Sequence, residues 1–123
     1  MSCLFDSLSA FIPVVSSFEM RTLICDYLGK NEKLTDDLSA EDVIKFESNM
    51  PLDTYVSNMR QNSTMGGATE IKAFCILFQK NVKVKSLPNN KTIEFIAKPE
   101  YPFISLKWTG GHYDPIKDYV DLC

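Results

Sequence analysis

The sequence predicts an α+β fold, in which a helical lobe is followed by a small, mostly antiparallel sheet. Apolar residues recur at helical spacing through residues 3–79, whereas residues 82–116 alternate in the manner of strands. The chain has 123 residues, of which 45% are hydrophobic, and it contains no repeat or linker. We therefore expect residues 1–123 to form a single domain with its own core.

The first two predicted helices carry start and stop signals. A short helix begins at Cys3 and is ended or interrupted by Pro13. A second helix is capped by Ser16 or Ser17 and stops near Gly29. The apolar positions of this second helix are expected to be Phe18, Leu23, Ile24, Tyr27 and Leu28.

Three further helices complete the predicted helical lobe. Ser39 and Asp42 resemble a capping box, which opens a helix whose core-facing apolar positions are expected to be Val43, Ile44 and Phe46. Pro51 suits the first position of the next helix. Residues 69–79 are strongly apolar and are expected to form a buried helix. The strands are then predicted at residues 82–85, 92–97, 103–108 and 112–116, with Gly110 and Gly111 breaking the last pair.

The composition argues against several classes of partner. The net charge is −3 and no basic face is evident, so we expect no nucleic acid partner. No apolar stretch approaches the length that spans a membrane, and the start lacks the pattern of a signal peptide. We therefore expect no membrane partner and a cytoplasmic location.

The cysteines are widely spaced and form no CxxC pair, and a single histidine cannot complete a Cys₂His₂ set. No metal site is therefore expected. Cys25 and Cys75 lie on apolar helical faces and are expected to be small core residues, and the terminal Cys123 is expected to be inert.

Thiol chemistry is the reaction type that the remaining polar residues favour. A cysteine nucleophile needs a base, and the base needs a group that orients it. Cys3 at a helix N-terminus would be stabilised as a thiolate, and His112 is the only histidine that can serve as base. Asp114 would share a side with His112 if this segment is a strand. It precedes Pro115 and could instead be a turn residue.

Three segments, taken in order, resemble the ovarian-tumour (OTU) cysteine proteases, which act as deubiquitinases. Residues 2–9, Ser-Cys-Leu-Phe-Asp-Ser-Leu-Ser, resemble the nucleophile segment of that family. Residues 59–71, in which Met-Arg precedes Met-Gly-Gly-Ala-Thr-Glu-Ile, resemble its central block. Residues 106–116, Leu-Lys-Trp-Thr-Gly-Gly-His-Tyr-Asp-Pro-Ile, resemble the block that carries the base and its orienting group. The short chain is similar to compact viral-type members.

The resemblance implies a papain-like OTU fold without a metal or organic cofactor. It implies that Cys3, His112 and Asp114 catalyse hydrolysis of (iso)peptide bonds after the C-terminal glycine of ubiquitin or a ubiquitin-like modifier. The partners would be that modifier and its conjugates, and we expect a monomer, in the host cytoplasm if the source is viral. Substrate-binding positions are expected at Gly66, Gly67, Trp108 and Gly111.

Two departures from the family pattern keep alternatives open. Only Met1 and Ser2 precede Cys3, so the aspartate that the family has three residues before the cysteine is missing. Either the chain is a trimmed fragment, or the oxyanion hole is built mainly from the backbone amides of Cys3 and its neighbours. Met65 replaces the usual tryptophan before Gly-Gly. The alternatives are a viral polyprotein-processing protease, an inactive ubiquitin-binding OTU fold, and an interaction module with chance motifs.

Overall fold

A computed structural model describes residues 2–117, which contain a helical layer followed by a four-stranded sheet. The α+β class is therefore confirmed. Cys123 lies outside the described residues, so the expectation that it is inert stays a prediction. In chain order the elements are α1 (Cys3–Ser9), α2 (Ser17–Gly29), α3 (Ala40–Ser48), α4 (Leu52–Met59), α5 (Ala68–Phe78), β1 (Asn81–Ser86), β2 (Lys91–Phe95), β3 (Phe103–Trp108) and β4 (Tyr113–Ile116).

Two of the predicted helix starts are built as capping boxes. The Ser16 hydroxyl group accepts from the Glu19 amide at 3.1 Å, and the Glu19 carboxylate accepts from the Ser16 amide at 2.9 Å. Ser39 and Asp42 make the equivalent pair of bonds, both at 3.3 Å, at the start of α3. These local bonds fix the N-termini because each one satisfies an amide that the helix leaves unpaired.

The buried face of α2 agrees only in part with the one expected. Ile24 and Leu28 are fully buried as expected, whereas Phe18 and Leu23 are 67% and 41% exposed. Apolar residues occur on both sides of this helix, so their spacing alone does not reveal which side meets the core. Phe46 of α3 is 89% exposed and was also wrongly expected to be part of the core.

The sheet has the order β2-β1-β3-β4. β1 pairs antiparallel with β2, β3 pairs antiparallel with β4, and the central pair β1 and β3 is parallel. Two of the three pairings are therefore antiparallel, in agreement with the expectation. The buried face of the central pair presents Val82, Val84, Ile104 and Leu106 to the helices.

Asn81 holds the connection that returns the chain from β2 to β3. Its side chain is fully buried. The amide nitrogen donates to the carbonyl oxygens of Lys98 at 2.8 Å and Tyr101 at 3.0 Å, and its oxygen accepts from the Ala97 amide at 2.9 Å. Because these bonds satisfy the backbone of the connection, they fix the place where β3 begins.

Helix α1 lies between α2 on one side and β4 on the other. Its side chains Leu4, Phe5 and Leu8 are at most 1% exposed, so the helix is part of the core although it is short. Beyond β4, the Lys117 ammonium group lies 5.5 Å from the centre of the Phe11 ring. Among the helices in residues 2–117, none has the length and apolarity that crossing a membrane requires.

The loop before α5 packs directly on α1 through Gly66, which is buried. A Cβ atom at Gly66 would lie 2.7 Å from Leu4 Cδ2 and 3.1 Å from ring atoms of Phe5. A Cβ atom at Gly67 would meet nothing within 4 Å. The loop can therefore approach α1 this closely only because residue 66 has no side chain.

We predict that Gly66→Ala lowers the free energy of unfolding by about 1–3 kcal/mol, because the buried Leu4 side chain must move to admit the methyl group. The matched variant Gly67→Ala has open space for the methyl group and should cost less, about 0.5–1 kcal/mol, because alanine is a poorer N-cap residue than glycine. Urea unfolding at pH 7 measures both. Equal stabilities for the two variants would show that the contact of residue 66 with α1 is not tight.

Candidate active site

Cys3 is the first residue of α1, and its side chain is partly exposed. The Ser2 carbonyl oxygen accepts the first helical bond from the Asp6 amide at 2.7 Å, and the Cys3 carbonyl oxygen accepts from the Ser7 hydroxyl group at 2.7 Å. Ser2 occupies the N-cap position, yet its side chain makes no capping bond to the helix. The thiol therefore lies at the N-terminus of a buried helix, and the Ser2 side chain does not cap the first amides of that helix.

His112 lies in the turn that joins β3 to β4, one residue before β4 begins at Tyr113. The turn is closed by a bond from the Thr109 amide to the His112 carbonyl oxygen at 3.0 Å. Gly110 has a φ of +108°, which residues with a side chain rarely adopt. The chain therefore turns tightly at this point, and 57% of the His112 side-chain surface is exposed.

The side chains of His112 and Asp114 meet, as the alternation of a strand predicted. The distance from His112 Nε2 to Asp114 Oδ1 is 3.1 Å. When Nε2 donates to the carboxylate, Nδ1 is the ring nitrogen that remains to exchange a proton with another group. Asp114 is 43% exposed and pairs with Lys107 of β3, so the ladder fixes its backbone.

The structure brings the start of α1 close to the turn that carries His112. Helix α1 packs on β4, whose first residue is Tyr113. Burial raises the pKa of the Tyr113 hydroxyl group, and the negative charges of Cys3 and Glu70 raise it further. Cys3 is thus near enough to act electrostatically on Tyr113, the residue that follows His112. A thiol and an imidazole that meet can carry out nucleophilic chemistry at a carbonyl group.

The positions expected to bind substrate lie in two places, at the end of β3 with the turn that follows it, and in the loop before α5. Trp108 is half-buried at the end of β3, and its ring centre is 6.5 Å from that of Tyr113. The two rings line a cavity of about 210 Å³ together with Ala68 and Ile71 of α5. Gly111 is exposed, and a Cβ atom there would meet nothing within 4 Å.

The glycines before α5 differ from each other in their surroundings. Gly66 is buried against α1, whereas Gly67 is only partly buried and borders open space. The roles expected for Gly66, Gly67, Trp108 and Gly111 in substrate binding stay predictions.

Two buried charged residues near the site were not singled out from the sequence. Glu70 is 1% exposed and accepts from the Tyr55 hydroxyl group at 2.6 Å and from the Gly67 amide at 2.7 Å. Burial raises the pKa of its carboxyl group, although both hydrogen bonds oppose that shift. Glu70 thereby fixes the backbone of Gly67, and its place three residues after Gly67 is the capping signal that could have revealed it.

Arg21 is the second such residue, and it is 2% exposed on the core face of α2. The sequence does not indicate that Arg21 is buried, because arginine side chains are mostly exposed to solvent. Its guanidinium group lies over the Phe5 ring of α1 at 4.2 Å from the ring centre. Arg21 is therefore in direct contact with the helix that carries Cys3.

A thiol at the start of a buried helix that packs on a hairpin bearing a histidine and an aspartate is an arrangement typical of cysteine proteases. The sequence model of the family described as OTU-like cysteine protease matches residues 2–113, and the chain belongs to this family. The match includes Cys3 and His112 and ends one residue before Asp114. No curated protein sequence matches the chain significantly.

Solved OTU domains have the same fold. An OTU domain in complex with ubiquitin aligns with a TM-score of 0.73 at 20% identity, over 93% of this chain and 62% of that chain. The OTUD1 OTU domain gives 0.72 at 17% identity, over 95% and 79%. The viral OTU domain protease from Dera Ghazi Khan virus gives 0.66 at 15% identity, over 94% and 76%. The chain thus spans less than two thirds of the first of these structures.

We predict that Cys3 reacts with iodoacetamide at pH 8 much faster than Cys25 or Cys75. Burial raises the pKa of Cys25 to about 11 and that of Cys75 to about 12, so both buried thiols stay protonated at this pH. Peptide mapping after a short reaction measures the three sites separately, and the same reaction in urea is the control. Rapid modification of Cys25 or Cys75 in the folded protein would contradict the burial described here.

Proposed function

We propose that this protein is a thiol-dependent deubiquitinase, which hydrolyses (iso)peptide bonds after the C-terminal glycine of ubiquitin or a ubiquitin-like modifier. The observation that carries the proposal is the 3.1 Å contact between His112 and Asp114 on a hairpin that packs against the helix beginning at Cys3. Family membership supports the protease chemistry. The substrate class is supported by the similar OTU domain that was solved in complex with ubiquitin.

In the first step of the proposed reaction, the Cys3 thiolate attacks the carbonyl carbon of the scissile bond, and a tetrahedral intermediate with an S–C bond forms. Backbone amides at the start of α1 are the donors nearest to the developing oxyanion. The C–N bond then breaks, and His112 gives its proton to the leaving amine. A thioester between Cys3 and the modifier remains.

In the second step, a water molecule attacks the thioester while His112 takes a proton from it. The S–C bond breaks, the modifier leaves with a free carboxylate, and Cys3 returns to the thiolate. Asp114 holds the imidazole through Nε2 in both steps and stabilises its charged form. Since Asp114 is 43% exposed, its carboxylate is partly screened by water, and its contribution is expected to be smaller than that of His112.

Two other activities are alternatives, and assays on a peptide junction and on a ubiquitin conjugate together distinguish them. A polyprotein-processing protease would cleave peptide junctions, and its hydrolysis of ubiquitin conjugates would be secondary or absent. An inactive OTU fold would bind ubiquitin and turn over neither substrate. A viral-type origin, a monomeric state and a cytoplasmic location also stay predictions.

We predict that hydrolysis of a fluorogenic amide at the C-terminus of ubiquitin depends on Cys3, His112 and Asp114 to different degrees. Cys3→Ala should abolish turnover, and His112→Ala should lower kcat by about 10³-fold or more, because no other histidine can replace the base. Asp114→Ala should lower kcat by about 10–100-fold, because the base remains but is no longer oriented.

Asp37→Ala is the matched control for Asp114, since Asp37 is an exposed loop residue. Circular dichroism should show that all four variants are folded. Turnover retained by Cys3→Ala would remove the nucleophile assignment, and a wild-type rate for Asp114→Ala would remove Asp114 from the site.

A further inference from the structure

We propose that Arg21 is a positioning residue that anchors Ser2, the residue before the nucleophile, and thereby sets the geometry of Cys3. This inference rests on the proposed function, since Cys3 is taken as the nucleophile. Arg21 lies on the buried face of α2, which places a charged side chain inside the protein. A charge that is removed from water must be compensated by hydrogen bonds, so its bonding partners indicate what it is used for.

The guanidinium group of Arg21 donates to oxygen atoms from two separate parts of the chain. In the segment from the last residue of α4 to Gly66, it donates to the carbonyl oxygens of Met59 at 2.8 Å, Thr64 at 2.9 Å and Asn62 at 3.3 Å. At the other end of the chain, it donates to the Ser2 hydroxyl group at 3.2 Å. A single planar group therefore joins the residue before the nucleophile to the loop that precedes α5.

The same guanidinium group also stacks on the nucleophile helix. It lies 4.2 Å from the ring centre of Phe5, and the ring of Phe5 is in turn in close contact with the backbone of Gly66. Phe5 thus packs between Arg21 and the loop that Arg21 holds. The cation–π contact and the carbonyl bonds act together to fix α1 with respect to this loop.

The Ser2 side chain that bonds to Arg21 does not cap α1. A serine at the N-cap position ordinarily accepts a bond from an amide of the first helical turn. Here the hydroxyl oxygen of Ser2 is directed toward Arg21 instead, and no side-chain capping bond is made.

The test compares two pairs of matched variants. Ser2→Ala removes the hydroxyl group that Arg21 holds, and Ser2→Thr keeps it. Arg21→Lys keeps the charge but removes the planar set of donors, and Arg60→Lys makes the same change in an exposed residue whose ion pair with Asp26 lies at the surface. For each folded variant we would measure kcat and KM on the ubiquitin amide, and the rate of alkylation of Cys3.

We expect Arg21→Lys to lower kcat by about tenfold or more, because small displacements of reacting groups have large effects on rate, while KM changes by less than about twofold. Ser2→Ala should lower kcat about three- to tenfold without a change in melting temperature. Ser2→Thr and Arg60→Lys should keep the wild-type kcat. The rate of Cys3 alkylation should fall in the same variants in which kcat falls.

Wild-type values of kcat and of the alkylation rate in folded Ser2→Ala would overturn the proposal, and so would a loss confined to KM. If Arg21→Lys does not fold, the pair of Ser2 variants decides the question. Alkylation of Cys3 needs no ubiquitin. An inactive wild-type protein would therefore count against the proposed substrate, while the alkylation rates would still test the role of Arg21.

Discussion

The burial of helix α1 is the constraint on which the rest of the structure depends. A helix of seven residues is not stable in water by itself, so α1 exists because Leu4, Phe5 and Leu8 are packed inside the protein. Each such side chain contributes roughly 1.5–3 kcal/mol when it is removed from water. Since Cys3 is the first residue of this helix, the packing that stabilises α1 also determines where the thiol lies.

The sheet positions His112, which lies in the turn between β3 and β4. In the parallel pairing of β1 with β3, the chain must return from β2 to the start of β3. Asn81 satisfies backbone groups of this connection. The tight turn at Gly110 then returns the chain antiparallel along β3, so that His112 lies just before the strand that contacts α1 and Asp114 lies on it. The helical layer and the sheet thus each supply one part of the candidate site, and the contact between α1 and β4 joins them.

The sequence was sufficient for features that depend on neighbouring residues. The starts of α2 and α3 follow from capping boxes, and the contact of His112 with Asp114 follows from the alternation of a strand. Features that depend on distant residues were beyond it. The exposed faces of α2 and α3, with Phe18 and Phe46 in solvent, were wrongly expected to be buried. The burial of Arg21 was missed because its partners lie 19 to 43 residues away along the chain.

The central claim is that Cys3 is the nucleophile of a site that recognises ubiquitin. The most direct measurement is to incubate the protein with ubiquitin that carries a thiol-reactive group at its C-terminus, followed by intact mass and peptide mapping. We expect one adduct per molecule, located on Cys3 and absent from the Cys3→Ala variant. A folded protein that forms no adduct, or forms it on another cysteine, would contradict the claim.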